Sequence, residues 1–155
     1  MNSESINKIK NYYRIDDKIA SAGQPAADEF NLIRQANFDL IINLALPDSP
    51  HAIENEEELV KQESMDYLHI PVDFNAPLLS DLHRFFDAME QYEQQNIFVH
   101  CALNWRVSAF LFLYRTIKRD YPVSDALSDL HNVWTPDETW QAFIDSALAQ
   151  YEINQ

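Results

Sequence analysis

Residues 97–108 read IFVHCALNWRVS. A short apolar run closes on His100 and Cys101, four residues intervene, and Arg106 opens a long apolar stretch. The run NIFVH predicts a strand and RVSAFLFLYRTIK a helix, which puts Cys101 on the turn between them. That helix is apolar nearly all round, at Ala109, Phe110, Leu111, Phe112, Leu113 and Tyr114, so a central position is expected. A turn entering a helix presents backbone N–H groups with no intrahelical partner, and the helix dipole adds positive potential. A thiol in such a place ionises more readily. The planar guanidinium of an arginine at the helix start suits two oxygens of a phosphate. The plain alternative is an inert core cysteine, the usual fate of a lone Cys in apolar surroundings. An anion-binding loop commonly contains glycine, and this one has none.

Working outward, the segments NYYRID and KIASAG read as two short strands around an Asp16-Asp17 turn. Pro25 precedes AADEFNLIRQANF, where Phe30, Ile33 and Phe38 fall at helical intervals. DLIINLAL is a continuous apolar run, as a strand buried on both faces requires. ENEEELVKQ reads as a charged helix and DYLHIPV as a strand. In the following helix Leu82, Phe85, Phe86 and Met89 share one face, with Ser80 expected as its N-cap. Two more helices follow Lys118. Strands alternating with helices predict an α/β fold with a central, largely parallel sheet flanked by helices on both faces. Ligands of such folds bind beyond the carboxyl ends of the strands, where Cys101 lies. No repeat, low-complexity tract or linker divides the chain, so one domain is expected over residues 1–155, with its core at about 12–145.

Composition narrows the function. At 155 residues and 46% hydrophobic, the chain can bury a real core. The formal charge of −14 disfavours nucleic acid and anionic membrane as partners. No apolar run is long enough for a membrane span, and MNSESINKIKNYY lacks the apolar stretch of a signal peptide. With Cys101 as its single cysteine the chain can form no internal disulfide, which fits a cytoplasmic location. No cofactor or metal is expected. The five histidines show no ligand spacing, and the single glycine, Gly23, rules out a glycine-rich nucleotide loop. The oligomeric state is not legible.

The VHC run after a strand, followed by an Arg opening a helix with Ser108 in its first turn, resembles the signature loop of the cysteine-dependent protein tyrosine and dual-specificity phosphatases. The ordered series IASAGQPAADEF, FDLIINL, YLHIPVD and IFVHC is similar to a small bacterial branch of that superfamily, whose members are also found fused to β-lactamase-like hydrolases. The resemblance implies a dual-specificity-phosphatase-like fold and the hydrolysis of a phosphotyrosine or small phosphoester in a phosphorylated substrate. It implies Cys101 as nucleophile through a thiophosphoryl intermediate. Ala102, Leu103, Asn104, Trp105 and Arg106 match the phosphate-binding loop, with Arg106 on the phosphate oxygens. His100 matches the residue that tunes the loop, and Ser108 the hydroxyl that helps the thiolate leave. Asn43 and Gln24 match segments packed beside the loop. Asp73, after DYLHIPV, matches the general acid that protonates the leaving group.

One feature departs from the pattern. The family has five residues between Cys and Arg, and here there are four, although Ser108 keeps its distance from the Cys. Asn tolerates positive φ better than other non-glycine residues, so Asn104 is expected to make the turn. The tighter ring resembles the six-residue loop of rhodanese-like sulfurtransferases, which carry a Cys persulfide. Sulfur transfer is therefore the competing reading, and an inactive phosphate-binding module a third. VWTPDETW resembles the Trp-Pro-Asp loop of tyrosine phosphatases but follows the Cys instead of preceding it. It reads better as a helix start, with Thr135 as cap, Pro136 as first residue and Glu138 closing a capping box. Trp105 and Trp134 are candidate pocket walls.

Overall fold

The computed structural model describes residues 3–49 and 51–151, with side chains from residue 6 onward. Five strands form one sheet: β1 (Tyr13–Arg14), β2 (Ile19–Ala22), β3 (Leu40–Asn43), β4 (Asp66–His69) and β5 (Ile97–His100), in the order β1-β2-β5-β3-β4. Only the β1–β2 pair is antiparallel; β2–β5, β5–β3 and β3–β4 are parallel. Parallel strands need covered faces, which explains why β2, β3 and β5 are buried at every position.

Alternation along the strands divides the core in two. Leu40, Ile42, Ile97 and Val99 point to one face, where they meet α3 (Leu79–Gln91), α4 (Trp105–Leu113), α5 (Val123–Val133) and α6 (Glu138–Gln150). Ala20, Ile41 and Phe98 point to the other, against the N-terminal 3₁₀ turn, α1 (Phe30–Gln35) and α2 (Glu56–Gln62). The expected flanking of the sheet on both faces is therefore found. Every residue of α4 from Arg106 to Leu113 is buried, as its all-round apolarity demands. A π-helical segment, Tyr114–Lys118, continues it.

Two helix starts differ from expectation. The N-cap of α3 is Leu78, in extended conformation, so Ser80 lies inside the first turn beside Asp81. Asp81 pairs there with Arg84, one turn on. The helix α6 begins at Glu138, and its cap is Asp137, whose Oδ1 accepts from Trp140 N at 2.8 Å. A carboxylate two residues closer to the helix does what was assigned to Thr135.

The register aligns the strand ends. Ala22 pairs with His100, His100 with Asn43, and Asn43 with His69, a single row at the carboxyl edge of the sheet. Everything emerging from that row (Gly23, Cys101, Leu44 and Ile70) is brought to one edge.

Candidate active site

The loop leaving β5 is held by its outward-facing carbonyls. Ala102 O accepts from Gln24 N at 3.1 Å, and Leu103 O accepts from Asn11 Nδ2 at 3.0 Å. Cys101 O faces His100 Nδ1 at 3.3 Å. In a trans peptide the N–H points opposite to the C=O. The outward carbonyls of Cys101 and Ala102 therefore turn the next amides, of Ala102 and Leu103, toward the cavity. Asn104 closes the ring in the left-handed region, φ 71°, and is the N-cap position of α4. Its Nδ2 donates to Asn11 O and Ser21 Oγ, which anchors the turn. The expectation for Asn104 holds.

A cavity of about 280 Å³ opens over this loop. It is lined by Cys101, Ala102, Leu103, Trp105 and Arg106, and from other segments by Leu46, Asp48, Ser49, Asp73, Phe74 and Asn75. Cys101 is buried at the loop's first position. Arg106 is also buried, with Nη1 donating to Val72 O at 2.9 Å and Nη2 to Ser49 Oγ at 3.4 Å. Its guanidinium lies 5.9 Å from the Phe74 ring centroid. Two of its five donors are thus spent on holding the fork in place. Its position is fixed by Ser49, on the segment after β3, and by Val72, on the β4–α3 loop.

Asp73 lies on that same loop, exposed at the cavity rim. Its Oδ1 accepts from Asn75 N at 2.9 Å, an Asx turn that aims the carboxylate. Asp48 is a second exposed carboxylate lining the cavity, on a segment that carried no motif in the sequence. Aromatic rings build the wall. Trp105 stacks on Trp134 with centroids 4.9 Å apart and planes within 1° of parallel, and Phe74 packs against both. Trp140 Nε1 donates to Phe74 O at 2.8 Å, so α6 fixes the wall from behind.

The remaining candidates lie behind the loop. Ser108 Oγ donates to Trp105 O at 2.9 Å, closing its own helix turn instead of facing Cys101, and it does not line the cavity. Asn43 Oδ1 accepts from Ala45 N and its Nδ2 donates to Tyr67 Oη. Gln24 Nε2 donates to Pro25 O and to Glu56 Oε1. The residue that sequence reasoning missed is Glu56. It is buried, and its Oε2 lies 2.5 Å from His100 Nε2. Its spacing from Val60 was the available signal, since both face the core one helical turn apart. Burial pushes the Tyr67 phenol up to about 12, although the Asn43 hydrogen bond works the other way.

Comparison with known proteins establishes the fold and the family. A candidate phosphatase of the DUF442 group from Shewanella putrefaciens CN-32 superposes with a TM-score of 0.86 at 33% identity, covering 96% of this chain and 97% of its own. Tk-PTP in its active form gives a TM-score of 0.75 at 18% identity, covering 90% of this chain and 97% of its own. TpbA of P. aeruginosa, solved with phosphotyrosine, gives 0.69 at 14% identity, covering 93% and 91%. No match was found among curated protein sequences. The fold is that of the dual-specificity phosphatases, and the chain is a member of the cysteine-dependent phosphatase superfamily. Within it, the chain belongs to the family described as DSP-PTPase phosphatase fused to NAD+ kinase, whose model matches residues 4–146.

Proposed function

We propose that this protein hydrolyses an aryl or small alkyl phosphoester through a thiophosphoryl-enzyme intermediate on Cys101. The carrying observation is the meeting of Cys101, Arg106 and Asp73 in one cavity, from two separate segments of chain. In the first step the Cys101 thiolate attacks phosphorus and the P–O ester bond breaks. Asp73 passes its proton to the leaving oxygen. In the second, water attacks phosphorus, the P–S bond breaks, and the Asp73 carboxylate takes the water's proton as inorganic phosphate leaves. Arg106 and the Ala102 and Leu103 amides balance the charge on the equatorial oxygens in both steps. The flat wall of Phe74 and Trp105 suits an aromatic leaving group, which favours a phosphotyrosine-like substrate, the ligand of the TpbA complex. In this reading the partner is a phosphorylated protein or small molecule.

The test is turnover of p-nitrophenyl phosphate. We expect hydrolysis, abolished in Cys101→Ser because a serine hydroxyl is far less nucleophilic at neutral pH. The short Cys-to-Arg spacing keeps sulfur transfer as the competing reading. Transfer of sulfur from thiosulfate to cyanide without phosphate release would establish that reading instead. If both assays are silent while orthovanadate still slows alkylation of Cys101, the cavity is a binding module.

A further inference from the structure

We infer that Glu56 is a positioning residue for the phosphate-binding loop, acting through a proton it shares with His100. The inference rests on the loop being an oxyanion site, but not on turnover. Both ring nitrogens of His100 face oxygen atoms: Nε2 faces Glu56 Oε2 at 2.5 Å, and Nδ1 faces Cys101 O at 3.3 Å. A carbonyl and a carboxylate are acceptors, whereas a neutral imidazole has one N–H to donate. Both contacts are hydrogen bonds only if Nδ1 carries a proton and a second proton lies between Nε2 and Glu56. Glu56 Oε1 meanwhile accepts from Gln24 Nε2 at 2.9 Å, and Gln24 N holds Ala102 O.

The network therefore reaches the loop by two routes. Through His100 it fixes the Cys101 carbonyl, and so the direction of the Ala102 amide. Through Gln24 it fixes the Ala102 carbonyl, and so the direction of the Leu103 amide. Both amides are turned toward the cavity. His100 is fully buried and Glu56 is 3% exposed, so a lost partner leaves a buried polar group unpaired. Neighbouring titratable groups are Glu54, Glu57, Tyr67 and His69, which line the adjoining cavity with Glu56. None of them bonds to His100 among the described residues.

The shared proton makes an unusual demand on substitutions. Glutamine at position 56 reproduces the protonated carboxyl: its NH₂ donates to His100 Nε2 and its carbonyl accepts from Gln24. Glu56→Gln should therefore behave as wild type, with tungstate affinity by calorimetry and kcat both within about threefold. Glu56→Met, of similar size but apolar, should lose about 10- to 100-fold in tungstate affinity and kcat, the range seen when groups that orient a reacting shell are removed. The substrates' apolar contacts are untouched, so KM for p-nitrophenyl phosphate should change less than kcat. The decisive measurement needs no variant: long-range ¹H–¹⁵N spectra of wild-type protein should show a proton on His100 Nδ1. A bare Nδ1 would overturn the inference, as would equal tungstate affinity in the Gln and Met variants. Tungstate binding without hydrolysis in the wild type would sink the phosphatase reading while leaving this one testable by the same spectra.

Discussion

A Cβ placed on Gly23 would stand 2.6 Å from the carbonyl oxygen of Ala102, and 3.2 Å from that of Lys10. Both neighbours are backbone. Gly23 N already donates to Lys10 O at 2.7 Å, so the chain's single glycine is wedged between the N-terminal segment and the loop. Gly23→Ala should push the Ala102 peptide out of place. Thermal unfolding is expected to show a loss of about 1–3 kcal/mol, the usual cost of overpacking, with tungstate affinity falling alongside. Wild-type stability and affinity in this variant would mean that the loop yields freely.

Asp73 and Asp48 are both exposed carboxylates on the cavity. Asp73 is the general acid in our scheme. Asp73→Asn should therefore lower kcat steeply for alkyl phosphates and little for p-nitrophenyl phosphate, whose leaving group scarcely needs a proton. Asp48→Asn should change KM but leave the leaving-group dependence flat. If the two variants exchange these patterns, Asp48 is the acid.

Arg106 lines the cavity and is held by Val72 O and Ser49 Oγ. Lysine cannot offer two parallel donors and also reach both anchors. Arg106→Lys should cost about 10²–10³ in kcat, the range for loss of a donor to a developing oxyanion, with no gross unfolding by circular dichroism. A drop confined to KM would show that Arg106 binds ground state and transition state equally.

Tyr67 links α2 and the sheet edge to pH. Its unfolded phenol titrates near 10, and in the folded protein burial raises it to about 12. The folded state then holds the proton more tightly, so its stabilising contribution is complete below pH about 10 and disappears as pH climbs toward 12. Denaturant melts between pH 9 and 12 should show a steeper alkaline fall for wild type than for Tyr67→Phe. Parallel curves would remove Tyr67 as the cause.

Much of this was legible because it is local. Strand, cysteine, turn and arginine lie within ten residues of IFVHCALNWR, and a continuous apolar run followed by an all-apolar helix can only be a buried β–α unit in a protein of this size. Asn104 could be assigned its left-handed turn because few other residues tolerate one. Asp73 sits just past a strand, where the topology of parallel sheets brings loops to a common edge. Helix starts were less secure: Asp137 and Thr135 are both plausible caps by type, and only backbone geometry chooses between them.

What sequence could not reveal was pairing across segments. Nothing in ENEEELVKQ separates Glu56 from its acidic neighbours except its turn-spacing from Val60. Its burial against His100 depends on where α2 docks. Likewise Ser49, Asp48 and Phe74 join the cavity because β3 and β4 end in the same row as β5. Sequence alone determined the turn that bears Cys101, since residues close along the chain must fold through it together. The tertiary structure decided which of the acidic residues went inside and which reached the rim, because that choice is made by the register of three parallel strands, and register is set by packing on both faces of the sheet at once.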